Sequence, residues 1–240
     1  MDVTLRVKVS SAQVYCGDSP LMLSRREREV VLALAFRTQP CPLDVLGAQL
    51  YADLGEREAK NNVKVYVYRL RRRVGADFIV GRQDGYLLGP NVEVDFDRAR
   101  RFLRRLLKGE TLDADERETA LALAQDLRAH SPEWLADREW FESLASTPQR
   151  LGRDLALLVG HDALRRGEVA VASSVGRELS YEDPCDEEVC DLLIRAQLHS
   201  GEVTAAQQTF RAYSKTLARH MQARPSPELH SLLGFASGDA

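Results

Sequence analysis

Cysteine is scarce and unpatterned. Cys16, Cys41, Cys185 and Cys190 form no C-x-x-C pair and no metal-type Cys/His spacing, which excludes a disulfide framework or zinc ribbon and leaves free thiols in a reducing compartment. No run of 18 apolar residues occurs, and the amino terminus lacks the charged-then-apolar plan of a signal peptide, so a soluble, cytoplasmic chain with no membrane partner is expected. Motifs for chemistry are missing as well: there is no Gly-rich phosphate loop, no H-E-x-x-H and no nucleophile elbow. His130, His161, His199, His220 and His230 are scattered rather than grouped, and without a mutually placed nucleophile, base or metal set neither an enzyme, a metal nor a cofactor is expected.

What is present is ordinary globular composition, 44% hydrophobic and 29% charged over 240 residues, enough for one large or two medium domains. The net charge of −3 hides an asymmetry. Residues 1–100 carry 16 Lys and Arg against 13 Asp and Glu, whereas the remainder carries 17 against 23. The positive charge is itself concentrated, with seven bases and a single acid, Asp77, between Lys60 and Arg82. A basic stripe on an acidic chain points to a polyanion partner at one face.

Val3, Leu5, Val7 and Val9 alternate with polar residues, the period of a strand with one buried face. Ala12–Tyr15 and Pro20–Leu23 are expected as two further strands around a Cys16–Ser19 turn, giving a small antiparallel sheet. Ser24-Arg25-Arg26-Glu27 is a capping box that starts a helix to about Phe36. A short helix is expected from Leu43 to about Tyr51, after Pro40 and Pro42.

Residues 56–74 are ambiguous locally. Val63-Lys64-Val65-Tyr66-Val67-Tyr68 alternates and is β-branched and aromatic, as a strand would be. Over the longer window, Ala59, Val63, Tyr66, Val67, Leu70 and Val74 trace one helical stripe. The bases around Leu70 cannot alternate against a core, and Gly75 stands where a helix closes. The helical reading places Val63, Val67, Leu70 and Val74 inward. Asn61, Val65, Tyr68 and Arg72 then face outward, flanked by Lys64 and Arg71 on one side and by Asn62 and Arg69 on the other. That is the side-chain set of a major-groove reader: cations for phosphates and guanine, amides for adenine, apolar groups for thymine methyls. The bland alternative is a solvated basic helix.

Phe78-Ile79-Val80 and Tyr86-Leu87-Leu88 bracket Gly81-Arg82-Gln83-Asp84-Gly85, a hairpin with Arg82 near its tip and Gly85 free to take positive φ. Sheet, three helices and a hairpin in this order are the plan of a winged helix-turn-helix, whose third helix enters the major groove while the wing Arg reaches the minor groove. Val63–Val74 followed by Phe78–Tyr86 resembles the recognition helix and wing of the response-regulator type of winged-helix domain. The resemblance implies DNA contacts at Lys64, Val65, Tyr68, Arg69, Arg71 and Arg82. Together with Lys60, Asn61 and Arg72 these make the candidate DNA-binding set. The family often has Gly where Gln83 stands and an acid or His at Lys64 and Tyr66, so base preference does not carry over. No receiver domain is expected ahead of the first strand, so aspartate phosphorylation is not an evident input.

After Asn91 helix formers take over. Asp95 is expected to cap a helix to about Lys108, Gly109 to break it, and Asp113 to cap another to about Arg128. Ser131-Pro132, Thr147-Pro148, Asp183-Pro184 and Ser226-Pro227 each read as a capping residue followed by Pro at the first helical position. At an offset of 34, Leu158 matches Leu192, Leu164 matches Leu198, Gly167-Glu168-Val169 matches Gly201-Glu202-Val203, and Ala172 matches Ala206. That is the tetratricopeptide period, with the glycines at inter-helix turns and the alanines at close helix contacts. A plain helical bundle is the alternative.

The expected fold class is therefore mostly α with a small β component: a winged helix-turn-helix domain over 1–92 followed by an all-α, TPR-like domain over 93–240. Val94-Asp95-Phe96, Phe102, Trp140, Asp183-Pro184, Glu187-Glu188, Gly201, Tyr213, Leu217 and Pro225–Leu229 together resemble the bacterial transcriptional activator domain. The domain order is similar to that of the antibiotic regulatory proteins of streptomycetes. This resemblance implies a transcriptional activator that binds repeated promoter sites on double-stranded DNA and contacts RNA polymerase, with the helical half supporting a homodimer or a partner contact. The alternative function is a protein-interaction adaptor whose winged helix no longer binds DNA.

Overall fold

The computed structural model describes residues 5–82 and 85–236; Val3 of the first strand and Gln83 and Asp84 of the hairpin tip lie outside them. The chain opens with β1 (Leu5–Lys8), β2 (Gln13–Cys16) and β3 (Ser19–Pro20), followed by α1 (Arg25–Ala35), α2 (Leu43–Leu50) and α3 (Glu56–Val74). A hairpin of β4 (Ile79–Arg82) and β5 (Gly85–Leu88) precedes β6 (Val92–Val94). Eight helices complete the described residues: α4 (Asp95–Leu107), α5 (Ala114–Arg128), α6 (Glu133–Ala136), α7 (Glu139–Arg165), α8 (Val169–Glu182), α9 (Glu187–His199), α10 (Val203–Met221) and α11 (Pro227–Ala236). The mostly helical architecture with a small β part is the expected one.

Two compact units divide the chain, one of residues 1–101 and 123–152, the other of residues 102–122 and 153–240. In the first, the sheet runs β3-β2-β1-β6. β1 pairs antiparallel with β2, Val7 opposite Val14, both buried. The third strand is shorter than the Pro20–Leu23 expected from its apolar residues. Leu21 N–H still donates to the Val14 carbonyl at 2.8 Å, but Ser24 caps α1 three residues beyond Leu21 and leaves no room for the strand to run on. The fourth strand, β6, went unread in the sequence because three residues are too few to show alternation. It lies parallel to β1, Leu5 opposite Val92. Asp95 then locks the junction: its carboxylate accepts from the backbone N–H of Val9 at 3.0 Å and of Phe96 at 2.7 Å.

α1 starts in the capping box read from the sequence, Ser24 Oγ accepting from Glu27 N–H and the Glu27 carboxylate from Ser24 N–H. Its apolar side meets Phe96 and Phe141 through Phe36, at ring-centroid distances of 5.4 and 6.2 Å. Glu29, 1% exposed, is neutralised by Arg26 and Arg138 at 2.7 and 2.8 Å.

In the second unit, α7 and α8 are joined through Gly167 and α9 and α10 through Gly201, at φ of +77° and +73°. Both joints carry the same bonds: Gly167 and Gly201 donate to the carbonyls of Leu164 and Leu198, while Glu168 and Glu202 donate to those of Ala163 and Gln197. This is the left-handed helix closure that favours glycine, repeated 34 residues apart. Ala172 and Ala206 are fully buried at matching places in α8 and α10.

Three of the four cap-and-proline starts are placed differently from the expectation. Pro148 lies inside α7, because that helix is already under way from Glu139 and buries Phe141; the lost backbone bond costs about 3 kcal/mol. The cap of α9 is Asp186 rather than Asp183. Arg153 holds the Asp186 carboxylate at 2.7 Å, aimed at the N–H groups of Glu188 and Val189. Asp183 instead closes a turn onto Cys185 N–H. Pro132 itself occupies the cap position of α6, with no side-chain cap from Ser131. Ser226 does cap α11, its Oγ accepting from Leu229 N–H at 3.1 Å. Asp113 caps α5 reciprocally with Glu116.

Candidate nucleic-acid interface

α3 is a helix throughout, despite the strand-like alternation at its centre. Ala59, Val63, Val67 and Leu70 are buried at 2% exposure or less and Val74 is half-buried, which is the register expected from the apolar stripe. Two acids in its first turn, Glu56 and Glu58, and three bases in its last, Arg71–Arg73, complement the helix dipole. Gly75 ends it at φ +140°.

The outward stripe carries Asn61, Lys64, Val65, Tyr68, Arg69 and Arg72, all exposed. Val65 and Tyr68 are 44% and 60% exposed, large apolar surface on a helix otherwise bristling with cations. The guanidinium of Arg72 lies over the Tyr68 ring at 5.9 Å and that of Arg69 over Tyr66 at 5.4 Å. These cation–π contacts hold the charges close to the helix surface. Arg57, one turn ahead of Asn61, is exposed on the same stripe. Sequence reasoning passed it over, although stepping back four residues from Asn61 reaches it.

Two of the nine candidates make side-chain hydrogen bonds within the protein. Lys60 pairs with Glu56 at 2.5 Å, a hydrogen bond that holds its ammonium above the ordinary lysine value. Arg71 donates from Nε to the carbonyl of Ile79 at 2.7 Å and lies over the Tyr86 ring at 5.6 Å. Arg73, outside the candidate set, ties α3 to the start of α1 through the Met22 carbonyl at 2.9 Å and the Glu27 carboxylate at 3.1 Å.

The β4–β5 hairpin stands beside α3, with Gly81 opposite Tyr86 and Arg82 opposite Gly85. It is anchored by a bridge in which Cys41 and Tyr86 exchange both backbone hydrogen bonds, at 2.8 and 2.9 Å. Gly85 is required here: its φ is +146°, and a Cβ would lie 1.9 Å from the Cys41 carbonyl oxygen. Arg82 is exposed at the end of β4. Between hairpin, α3 and the start of α2 is an open groove of about 660 Å³, lined by Leu43, Asp44, Lys60, Arg71, Arg82 and Tyr86 among others. The fold thus brings Lys60, Arg71 and Arg82 around one groove and leaves the other six candidates on the adjoining helix face.

Among the described residues no group of three His, Cys, Asp or Glu side chains is placed to hold a metal ion, and no helix is long and apolar enough to cross a membrane. All four cysteines are free.

Residues 94–234 match the bacterial transcriptional activator domain. The chain belongs to that family. A winged helix stands ahead of the domain, and the family is one of transcriptional regulators rather than enzymes. Among solved structures, it is similar to Mycobacterium tuberculosis EmbR in complex with a low-affinity phosphopeptide, with 20% identity and a TM-score of 0.75. That alignment covers 98% of this chain and 65% of the other, so the present chain spans under two thirds of its length. No curated protein matches by sequence.

Proposed function

We propose that the protein is a cytoplasmic transcriptional activator that binds repeated promoter sites on double-stranded DNA, in sequence-specific fashion, as a homodimer, and contacts RNA polymerase. The division of labour falls at residues 92 and 93, the winged helix reading DNA and the activator domain serving dimer and polymerase. In this reading α3 lies in the major groove. Asn61, Val65, Tyr68 and Arg69 face base edges, Lys60, Lys64 and Arg72 lie toward the phosphates, Arg71 borders the groove beside the hairpin, and Arg82 enters the minor groove.

The observation that carries the reading is the outward face of α3. It combines exposed cations, an amide and two exposed apolar side chains on one stripe, beside a hairpin whose exposed Arg82 borders the adjoining groove. A solubilising helix face has no use for an exposed Tyr68 and Val65 among its charges.

Selection of bound duplexes from a randomised DNA library, followed by affinity against salt, tests it. A short repeated motif should be enriched. With about four phosphates neutralised per subunit, log affinity should fall with log salt at a slope near −3.6. Binding that is negligible at low salt would leave the basic helix a solvated face and give the lead to the adaptor function.

A further inference from the structure

Arg71 sits among the DNA-facing cations in sequence, yet its side chain is spent on the hairpin. It is half-buried, its Nε donates to Ile79 O on β4 at 2.7 Å, and its guanidinium plane covers the Tyr86 ring on β5 at 5.6 Å. A Cβ on Gly81 would come within 3.5 Å of its Nη2, so the guanidinium packs over the glycine that precedes Arg82. One side chain of α3 therefore touches both strands of the hairpin. Tyr86 is in turn fixed from the far side by its two backbone bonds to Cys41.

We propose that Arg71 is a positioning residue: it clamps the wing to the recognition helix and so sets where Arg82 meets the minor groove, contributing to DNA binding through the wing rather than through a phosphate of its own. The inference rests on the DNA-binding function proposed above. Arginine suits the task because its planar group donates one directed hydrogen bond and stacks on a ring at once; lysine, a point charge on a flexible stem, cannot do both. Ile79 and Arg82 are three residues apart on one strand, roughly 10 Å along it, so a pivot at Ile79 is magnified at the tip.

The test compares the full chain with its Arg71→Ala, Arg71→Lys and Arg82→Ala variants and the Arg71→Ala/Arg82→Ala double variant. In the absence of DNA, amide hydrogen exchange should speed up in residues 79–82 and 85–88 of both Arg71 variants while α3 stays protected. On the selected duplex, Arg71→Ala and Arg71→Lys should weaken binding alike, by about tenfold. In the Arg82→Ala background the further loss should shrink to about twofold or less, because the clamp then has nothing to aim. Losses that multiply in the double variant, with Arg71→Lys near wild type, would mean a direct phosphate contact and overturn the proposal. Unchanged wing exchange in both variants overturns the clamp whether or not the chain binds DNA. A wild-type chain that binds no duplex overturns the DNA reading, while faster wing exchange still upholds the clamp.

Discussion

Single side chains carry separable burdens in this molecule. Arg82 is exposed at the end of β4, so Arg82→Ala should weaken DNA binding by about tenfold, a loss within the range of one good contact, and leave the thermal midpoint unchanged; equal affinities in a salt-matched titration would remove the wing from the interface. Val67 is 1% exposed against the core, and Val67→Asp buries an unpaired carboxylate at a cost of at least about 3 kcal/mol. Circular dichroism and urea unfolding should show a winged helix that no longer folds cooperatively, and a folded variant would overturn the register of α3. Asp95 is the pH-sensitive group. Burial pushes its carboxyl up to about 7, against the pull of the Val9 and Phe96 amides and of Lys8, with Asp126 adding to the rise. Between roughly pH 4, where the unfolded chain releases this proton, and about pH 7, where the folded chain does, the folded state binds more protons. Stability from this group therefore falls as pH rises through that window, by up to about 1.4 kcal/mol per pH unit, and is flat above it. Asp95→Asn, which keeps the cap, should flatten the urea midpoint against pH over that interval relative to wild type.

At the scale of elements, what could be read from the sequence depended on how many residues shared a pattern. α3 was legible because a stripe of six apolar positions outvoted a six-residue alternation at its centre, and Leu70 among arginines could be buried only by a helix. The outward face followed from that register, so six of the candidate residues lie where 100° per residue puts them. The engaged side chains were not legible: nothing in the spacing tells Arg71, whose partners are eight and fifteen residues on, from Arg72, which stays on the exposed face over the Tyr68 ring. β6 was missed because its pairing partner is β1, at the other end of the unit. The cap of α9 was misplaced because Asp183 and Asp186 are equivalent locally, and Arg153 from another helix decides between them. Glycine gives a comparison between elements. Gly85→Ala meets the Cys41 backbone and should unfasten the hairpin, whereas Gly167→Ala faces open space and meets only positive-φ strain, a cost of about 1 kcal/mol. Thermal midpoints should fall more for the first, and the reverse order would mean the hairpin bridge is not formed.

For the whole molecule, the unit that contains the winged helix also contains residues 123–152, a stretch inside the activator-domain match. Phe141, fully buried against Phe36, and Arg138, paired with buried Glu29, both come from it. Phe141→Ala should accordingly destabilise the winged-helix unit itself by about 3–5 kcal/mol, visible as earlier hydrogen exchange in α1; exchange changes confined to residues 153–236 would contradict this. The twin joints at Gly167 and Gly201 bear on how such a chain can change length. Because the two share a positive φ and the same bonding and stand 34 residues apart, duplicating or deleting one such interval lands glycine on glycine and preserves every turn. A change of any other length would set a side chain where the backbone bends left-handed. The helical half is thus free to grow or shrink in whole steps, so regulators of this build should vary in reach by fixed increments while the reading head stays the same.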